Sequence, residues 1–387
     1  MVMGNQKTLF NSLGRGFFHL LIFTGLGGVA CSDEMERPSC SAYVSFSPTV
    51  EHSWYPITRA SENTFRDTVV PLPIDGGKEL YLHTIYSDDI IPPSPLTCDK
   101  GAPATRAVPV KEENMYNTFG VSAYTYAGSW DGSQTPEFMY DISVKSSGNY
   151  WMTTPSSYEW PGSAYKVRFF AYAPKGEAAY QLSGQAAVGA PTLICTIPGD
   201  VSEQKDLLVA GSGELSGSTH TAVDLTFRHV LTAVRFVYNP DNMPEGTIKS
   251  ITLKNVYSQG VYNMETDDWH ERDAKLSFSQ VVDKQISGTE GNEITNPSQT
   301  FMMIPQTLPD DAAIEIIFDD GKQERTLTAD LKNSEWPQGR TVTYKISDST
   351  INREYTLDVI VPPSSFSYMG GTDTFTISSY NPYCHLS

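Results

Sequence analysis

The sequence has little cysteine, too little positive charge to balance its acids, and no apolar run long enough to span a membrane. Its five cysteines, Cys31, Cys40, Cys98, Cys195 and Cys384, are scattered through 387 residues and form no C-x-x-C pair. A zinc site built on clustered thiolates is therefore not expected. Setting Cys31 aside leaves four cysteines, and spacing alone singles out no pairing among them. Lysine and arginine number 27 against 45 aspartates and glutamates, for a formal net charge of −18. A phosphate backbone demands a basic surface, so nucleic acid is not an expected partner, and neither is electrostatic docking on anionic lipid. Such an acidic surface favours solubility and mutual repulsion. A nucleophile elbow, H-E-x-x-H, a Gly-rich phosphate loop and an EF-hand are all missing, so the sequence points to no enzyme, no cofactor and no metal.

What is present begins with a leader. Lys7 and Arg15 give residues 1–30 a positive opening without an acidic residue. An apolar run from Phe17 to Val29 follows, broken only by His19, Thr24 and glycines. It falls well short of the ~20 residues a transmembrane helix needs and has the plan of a secretory signal. Gly27, Gly28, Val29 and Ala30 then lead into Cys31, an arrangement similar to a bacterial lipobox, with Gly28 where a leucine is usual. Cys31 is thus the candidate lipidation site, and outer-membrane lipid the partner it implies. The other reading is an ordinary cleaved leader with an incidental cysteine. Loss of Lys7 and Arg15 with the leader takes the net charge from −18 to −20. The acidic run Ser32-Asp33-Glu34-Met35-Glu36 resembles the signal that exports Bacteroidetes lipoproteins to the cell surface.

The rest reads as all-β. Short runs rich in Val, Ile, Thr, Tyr and Phe alternate apolar and polar residues, as in Ala42 to Phe46, Val121 to Tyr126, Tyr165 to Tyr172, Leu231 to Tyr238, Ile248 to Val256, Ile314 to Phe318 and Thr341 to Ile346. The 29 glycines and 25 prolines supply frequent turns between them. No helical periodicity and no propeller-type repeat competes with this pattern. About 355 residues after the leader suggest two or three domains. The expected division is a tether and first strand at 31–59, an N-terminal β-sandwich at 60–200, a C-terminal β-sandwich at 201–350 and a β extension at 351–387. Ser87 to Lys111 and Ser287 to Ser298 read as loops. Within the extension, Phe366 to Ile377 reads as strand, turn, strand.

Few side chains suggest chemistry. His229, in Phe227-Arg228-His229-Val230-Leu231, is expected to be a core histidine at a strand end or domain junction. The pairs Asp88-Asp89, Asp267-Asp268, Asp310-Asp311 and Asp319-Asp320 read as solvated loop charges, because adjacent strand residues face opposite ways. Burial is expected for Trp151, Trp160 and Tyr172. Trp54, Trp130 and Trp269 lie in polar sequence and are read as freer to bind a ligand.

Several blocks occur in an order that resembles the fimbrillin-like proteins of Bacteroidales, the major and minor fimbrium subunits. They are Val44-Ser45-Phe46 with Thr58-Arg59-Ala60; Phe119-Gly120-Val121-Ser122-Ala123-Tyr124; and Trp151 with Tyr158-Glu159-Trp160-Pro161 and Phe169-Phe170-Ala171-Tyr172-Ala173-Pro174. Then come Asp206-Leu207-Leu208-Val209-Ala210, Leu225 to Leu231, Phe301 to Leu308 and Trp336 to Tyr344. Together they cover residues 43 to 348. The resemblance implies two tandem transthyretin-like antiparallel β-sandwiches. It implies polymerisation after a trypsin-like protease removes the first strand, with other fimbrial subunits as partners and a host or bacterial surface ligand as the adhesion target. Carried over, Arg59 and Ala60 flank the candidate cut, and Arg106 stands in a second Thr-Arg-Ala. The donor-strand candidates are Tyr355, Leu357 and Val359, or Phe375 and Ile377. A cell-surface glycan-binding lipoprotein is the other function the sequence leaves open.

Overall fold

The computed structural model describes residues 42–51, 68–73, 79–87, 110–111, 114–147, 150–239, 243–286, 293–296, 299–348 and 350, with the backbone alone of Leu357–Ile360 and Thr376–Ser379. These residues form β-strands and one short 3-10 turn at Val201–Glu203, with no α-helix among them.

Seven strands close a barrel. They are β1 (Ser45–Val50), β4 (Thr118–Tyr126), β5 (Met139–Ser147), β6 (Tyr150–Thr154), β7 (Lys166–Ala173), β10 (Leu208–Ser216) and β11 (Val223–His229), in the order β1-β11-β10-β7-β4-β5-β6. All neighbours are antiparallel except β1 and β11. Alternation sends one face of each strand inward. Phe46, Phe119, Val121, Phe169, Leu208, Leu225 and Phe227 fill the interior.

The opposite faces of β4, β7 and β10 are also buried. Tyr124, Phe170, Tyr172 and Val209 belong to a second, larger core. Burial on both faces explains the unbroken run Phe169-Phe170-Ala171-Tyr172-Ala173, which a strand with one wet face would not show. It also explains Gly120. A Cβ there would lie 2.6 Å from the Tyr172 ring and 2.8 Å from an Asp141 carboxylate oxygen. The Tyr172 hydroxyl donates to that same oxygen at 2.9 Å.

Two further sheets enclose the larger core. One has the order β15-β12-β20-β3-β2, from β2 (Thr68–Leu72), β3 (Leu80–Ser87), β12 (Thr232–Tyr238), β15 (Phe301–Met303) and β20 (Thr341–Ser347). The other has the order β18-β17-β13-β9-β8, from β8 (Tyr180–Leu182), β9 (Thr192–Thr196), β13 (Gly246–Asn263), β17 (Ala313–Asp319) and β18 (Glu324–Asp330). The long β14 (Asp268–Ile286) pairs with β13. A small ladder joins β16 (Gln306–Thr307) to β19 (Glu335–Trp336). Val234, Phe236 and Tyr238 of β12, Val342, Tyr344 and Ile346 of β20, and Ile314, Ile316 and Phe318 of β17 meet in the core. Each set follows the two-residue period of a strand.

The sheets do not divide at residue 200. β2 and β3 precede that point, yet β3 pairs with β20; β8 and β9 precede it, yet β9 pairs with β13. Conversely β10 and β11 follow it and belong to the barrel. The turns at 196–200 mark a change of sheet, from β9 to the barrel strands β10 and β11, and the chain leaves the barrel again at β12. Hydrophobic alternation reports where strands are, while the partner of each is chosen by tertiary packing.

The last pair is β21 (Leu357–Ile360) with β22 (Thr376–Ser379). Most of the expected strand-turn-strand segment 366–377 lies outside the described residues. Thr376 and Ile377 are the described part of that segment, and they pair with β21. The two candidate donor segments thus meet in one antiparallel pair, with Val359 opposite Ile377 and Leu357 opposite Ser379.

Candidate functional site

The seam of the barrel is the feature that β1 creates. β1 is six residues long and is held on both sides by strands distant in sequence. On one side it runs parallel to β11, from Phe46 opposite Val223 to Val50 opposite Phe227. On the other, Ser45 and Phe46 stand opposite Met152 and Trp151 of β6. Backbone bonds extend the pairing. The Val44 amide donates to Tyr158 O at 2.8 Å, the Trp160 amide to Ala42 O at 3.2 Å and the Glu51 amide to Phe227 O at 2.8 Å.

The side chains of β1 alternate as a docked strand requires. Val44, Phe46 and Val50 are buried, and Ser47 and Thr49 face out. The Phe46 ring lies edge-on to Phe119 at 5.9 Å and to Phe169 at 5.6 Å. Phe227 completes the cluster, 5.2 Å from Phe119. Without β1, the facing edges of β11 and β6 would flank a groove floored by these three phenylalanines. An open edge of this kind is a template for another strand.

At the end of β11 lies a buried polar junction. Asp206 and His229 are almost fully buried, with Nδ1 of the histidine 2.6 Å from Oδ2 of the aspartate. The same oxygen accepts the Val110 amide at 2.9 Å, and the Tyr116 hydroxyl donates to the Asp206 carbonyl at 2.9 Å. Burial pushes the Tyr116 phenol well above its ordinary range. A buried carboxylate is tolerable only when it is hydrogen-bonded, and here Oδ2 meets both the imidazole and an amide. Next along β11, Arg228 donates from Nε to Oδ1 of Asp267 at 3.1 Å and from Nη2 to the Tyr262 hydroxyl at 3.3 Å. Gln338 donates to the same Asp267 oxygen at 2.8 Å. These contacts tie the barrel strand β11 to β13 and to the segment after β19. Glu51, just past β1, has its carboxyl raised by burial, while Arg228 and His229 pull it down.

The structure sorts the residues singled out in the sequence. His229 is the core histidine at a junction that its setting suggested. Trp160 and Tyr172 are buried, and Trp151 is half-buried against Phe119. Two tryptophans read as ligand-ready are packing residues instead. Trp269 is buried and donates its indole N–H to Val230 O at 2.8 Å. Trp130 packs against Tyr124, Tyr126 and Phe170, with the Arg168 guanidinium 5.1 Å from its ring. Polar neighbours in sequence disguised both. Of the aspartate pairs, Asp310 and Asp311 meet Lys332 and Lys275, and Asp320 caps a turn. Asp267, by contrast, is a fixed part of the junction. Cys195 is a free, buried thiol whose pKa burial pushes up. Among the described residues no three His, Cys, Asp or Glu side chains converge as metal ligands.

Cys31, Arg59, Ala60, Arg106, Trp54, Asp88, Asp89, Tyr355 and Phe375 lie outside the described residues. Leu357 and Val359 lie in β21 and Ile377 in β22. Sequence reading missed the Asp206–His229 pair. Its signal was there: one acid and one imidazole, each at the edge of an otherwise apolar run, have to find partners when buried.

Comparison with known proteins brings these features together. The family model described as fimbrillin-like matches residues 105–361. The fimbrium subunit Fim1C of Phocaeicola vulgatus is 28% identical over 187 residues, covering 41% of this chain and 49% of that protein. The chain thus spans about half the length of that curated relative. Among solved structures, a fimbrial protein from Bacteroides vulgatus aligns with a TM-score of 0.48 and 22% identity, over 59% of this chain and 87% of that one. The fimbrial anchor protein Mfa2 from Porphyromonas gingivalis aligns with a TM-score of 0.29 and 12% identity, over 57% and 77% respectively. On the strength of the family model, which matches well over half of its length, the chain belongs to the fimbrillin-like family.

Proposed function

We propose that this chain is a fimbrial subunit, or a tip or accessory adhesin, that is exported as a lipoprotein and assembled by strand exchange. The observation that carries the reading is β1. It is short, it is the first described strand, and it closes the barrel between β11 and β6. Lipid on Cys31 would hold the precursor on the outer membrane with its groove filled. Cleavage between Arg59 and Ala60 would detach lipid and β1 together. A strand from the tail of another subunit, built on Tyr355, Leu357 and Val359 or on Phe375 and Ile377, would then fill the groove by β-strand addition. Other fimbrial subunits are the partners, and the location is the cell surface or the fimbrium. The anchored form would carry the domain plan of tether and removable strand at 31–59 and extension at 351–387.

A later cut, after Arg106 in the second Thr-Arg-Ala, is a second reading. That cut would also detach β2 and β3, and so expose the flank of β20.

Mild trypsin treatment of the leaderless full chain tests both. The reading expects release of a fragment ending at Arg59 or Arg106, then a ladder of oligomers on a denaturing gel run without boiling. Cleaved protein that stays monomeric contradicts it, and Arg59→Ala and Arg106→Ala separate the two sites.

A further inference from the structure

The slot that β1 fills has a direction, and β1 runs in the less favourable one. Every neighbouring pair in the barrel is antiparallel except β1 with β11. That parallel ladder is also the longer of the two that hold β1, with five residue pairs against two on the β6 side. Parallel pairing is slightly less stable per residue than antiparallel. A strand laid in the slot the other way round would be antiparallel to β11 over the long ladder and parallel to β6 over the short one.

The slot also has a chemically distinct end. Val44, Phe46 and Val50 are buried, and Pro48 lies on the same face between them. Glu51 follows Val50. Its amide donates to Phe227 O at 2.8 Å, and its half-buried carboxyl lies under the pull of Arg228 and His229. An occupant therefore needs four inward apolar residues at two-residue spacing, with an acid one step beyond the place of Val50.

One stretch of the tail meets both requirements. Read forwards, Glu354-Tyr355-Thr356-Leu357-Asp358-Val359-Ile360-Val361 follows β1 read backwards, Glu51-Val50-Thr49-Pro48-Ser47-Phe46-Ser45-Val44. Acid falls on acid and threonine on threonine, and Tyr355, Leu357, Val359 and Val361 take the inward places. Laid in the direction of β1 instead, the same four apolar residues bring Pro362 to the place of Glu51. Proline has no amide to donate to Phe227 O, and no charge. The other tail segment fits neither way. With Phe375 and Ile377 facing inward, Asp373 or Ser379 also takes an inward place. Asp358 takes the exposed place of Ser47 in either direction and does not discriminate between them.

We infer that the donor strand is residues 354–361 of a second copy of this chain, inserted in the opposite direction to β1, with Glu354 at the Arg228–His229 end of the slot. The inference rests on the strand-exchange reading and adds direction, register and a specificity residue to it. Replacing the one parallel ladder of the barrel by an antiparallel one favours the donor over the return of β1.

The test is cross-linking of the leaderless full chain after mild trypsin treatment. Every cysteine except the buried Cys195 is replaced by serine. Arg353→Gln keeps trypsin from detaching the tail, which has no later lysine or arginine. Thr226 is exposed and stands opposite Thr49. In the inferred register Thr356 of the donor lies opposite Thr226, whereas in the direction of β1 Ile360 would. Thr226→Cys combined with Thr356→Cys should therefore give a disulfide-linked ladder, and combined with Ile360→Cys should not. Glu354→Gln should weaken assembly about fivefold, as loss of a favourable charge contact predicts, and Glu354→Asp should restore most of it. The cross-linking pairs leave Glu354 unchanged and stand by themselves should those variants fail to fold. A ladder through Ile360→Cys, oligomers that cross-link through neither pair, or full assembly by Glu354→Gln would overturn the inference and leave strand exchange standing. Cleaved protein that stays monomeric would overturn strand exchange, and the inference with it.

Discussion

Phe46 of β1 stands edge-on to Phe169 of β7, ring centroids 5.6 Å apart and planes at 85°. The contact joins the first described strand to the interior of the barrel, and it gives two contrasting predictions. In the unprocessed chain, Phe46→Ala leaves a cavity among Phe119, Phe169 and Phe227 and should cost about 3–5 kcal/mol. Urea unfolding measures this, and a loss under about 1 kcal/mol would mean that the strand is loosely held. If assembly proceeds by the proposed strand exchange, assembled material lacks β1, and the same substitution should leave the stability of the fimbrium unchanged.

Asp206→Ala should be among the most damaging single changes away from the seam. It leaves His229 and the Val110 amide without the carboxylate they share, and breaking a buried pair from one side costs about 3–5 kcal/mol. The effect should appear as a large drop in denaturation midpoint in the precursor and in the assembled form alike, because the junction does not involve β1. A drop confined to the precursor would contradict this placement.

Asp320 predicts an acid limb of the stability curve. The Gln323 and Lys322 amides and the Arg325 guanidinium hold its carboxyl at about 2, below the ordinary 3.8. A depressed carboxylate contributes stability that is present above the unfolded value of 3.8 and is lost as pH falls through about 2. Asp320→Asn should therefore lower the melting temperature at neutral pH. The gap to the wild type should narrow from 3.8 downward and close near 2. A gap that stays constant across that window would show that the carboxylate charge plays no part.

The strands were legible because half-buried strands alternate. The expected runs at 165–172, 231–238, 314–318 and 341–346 coincide with strands to within a residue; 121–126 lies inside β4, 248–256 covers only the first part of the longer β13, and 42–46 overlaps β1 at Ser45 and Phe46 alone. Trp160 and Tyr172 were read correctly as buried. What the sequence hid was pairing. Nothing in Leu80 to Ser87 says that β3 will lie beside β20, some 250 residues away, or that β10 will return to the barrel. Polar neighbours concealed the packing of Trp130 and Trp269. His229 was readable as a junction residue, while nothing in the sequence matched it to Asp206, 23 positions earlier, as its partner.

The most direct measurement of the central claim is the N-terminal sequence of the chain purified from surface-assembled material. The account predicts a free N-terminus at Ala60, or just after Arg106 for the later cut, with neither lipid nor β1 retained. A blocked, lipidated Cys31 in assembled material would contradict it and leave β1 as a permanent part of the barrel.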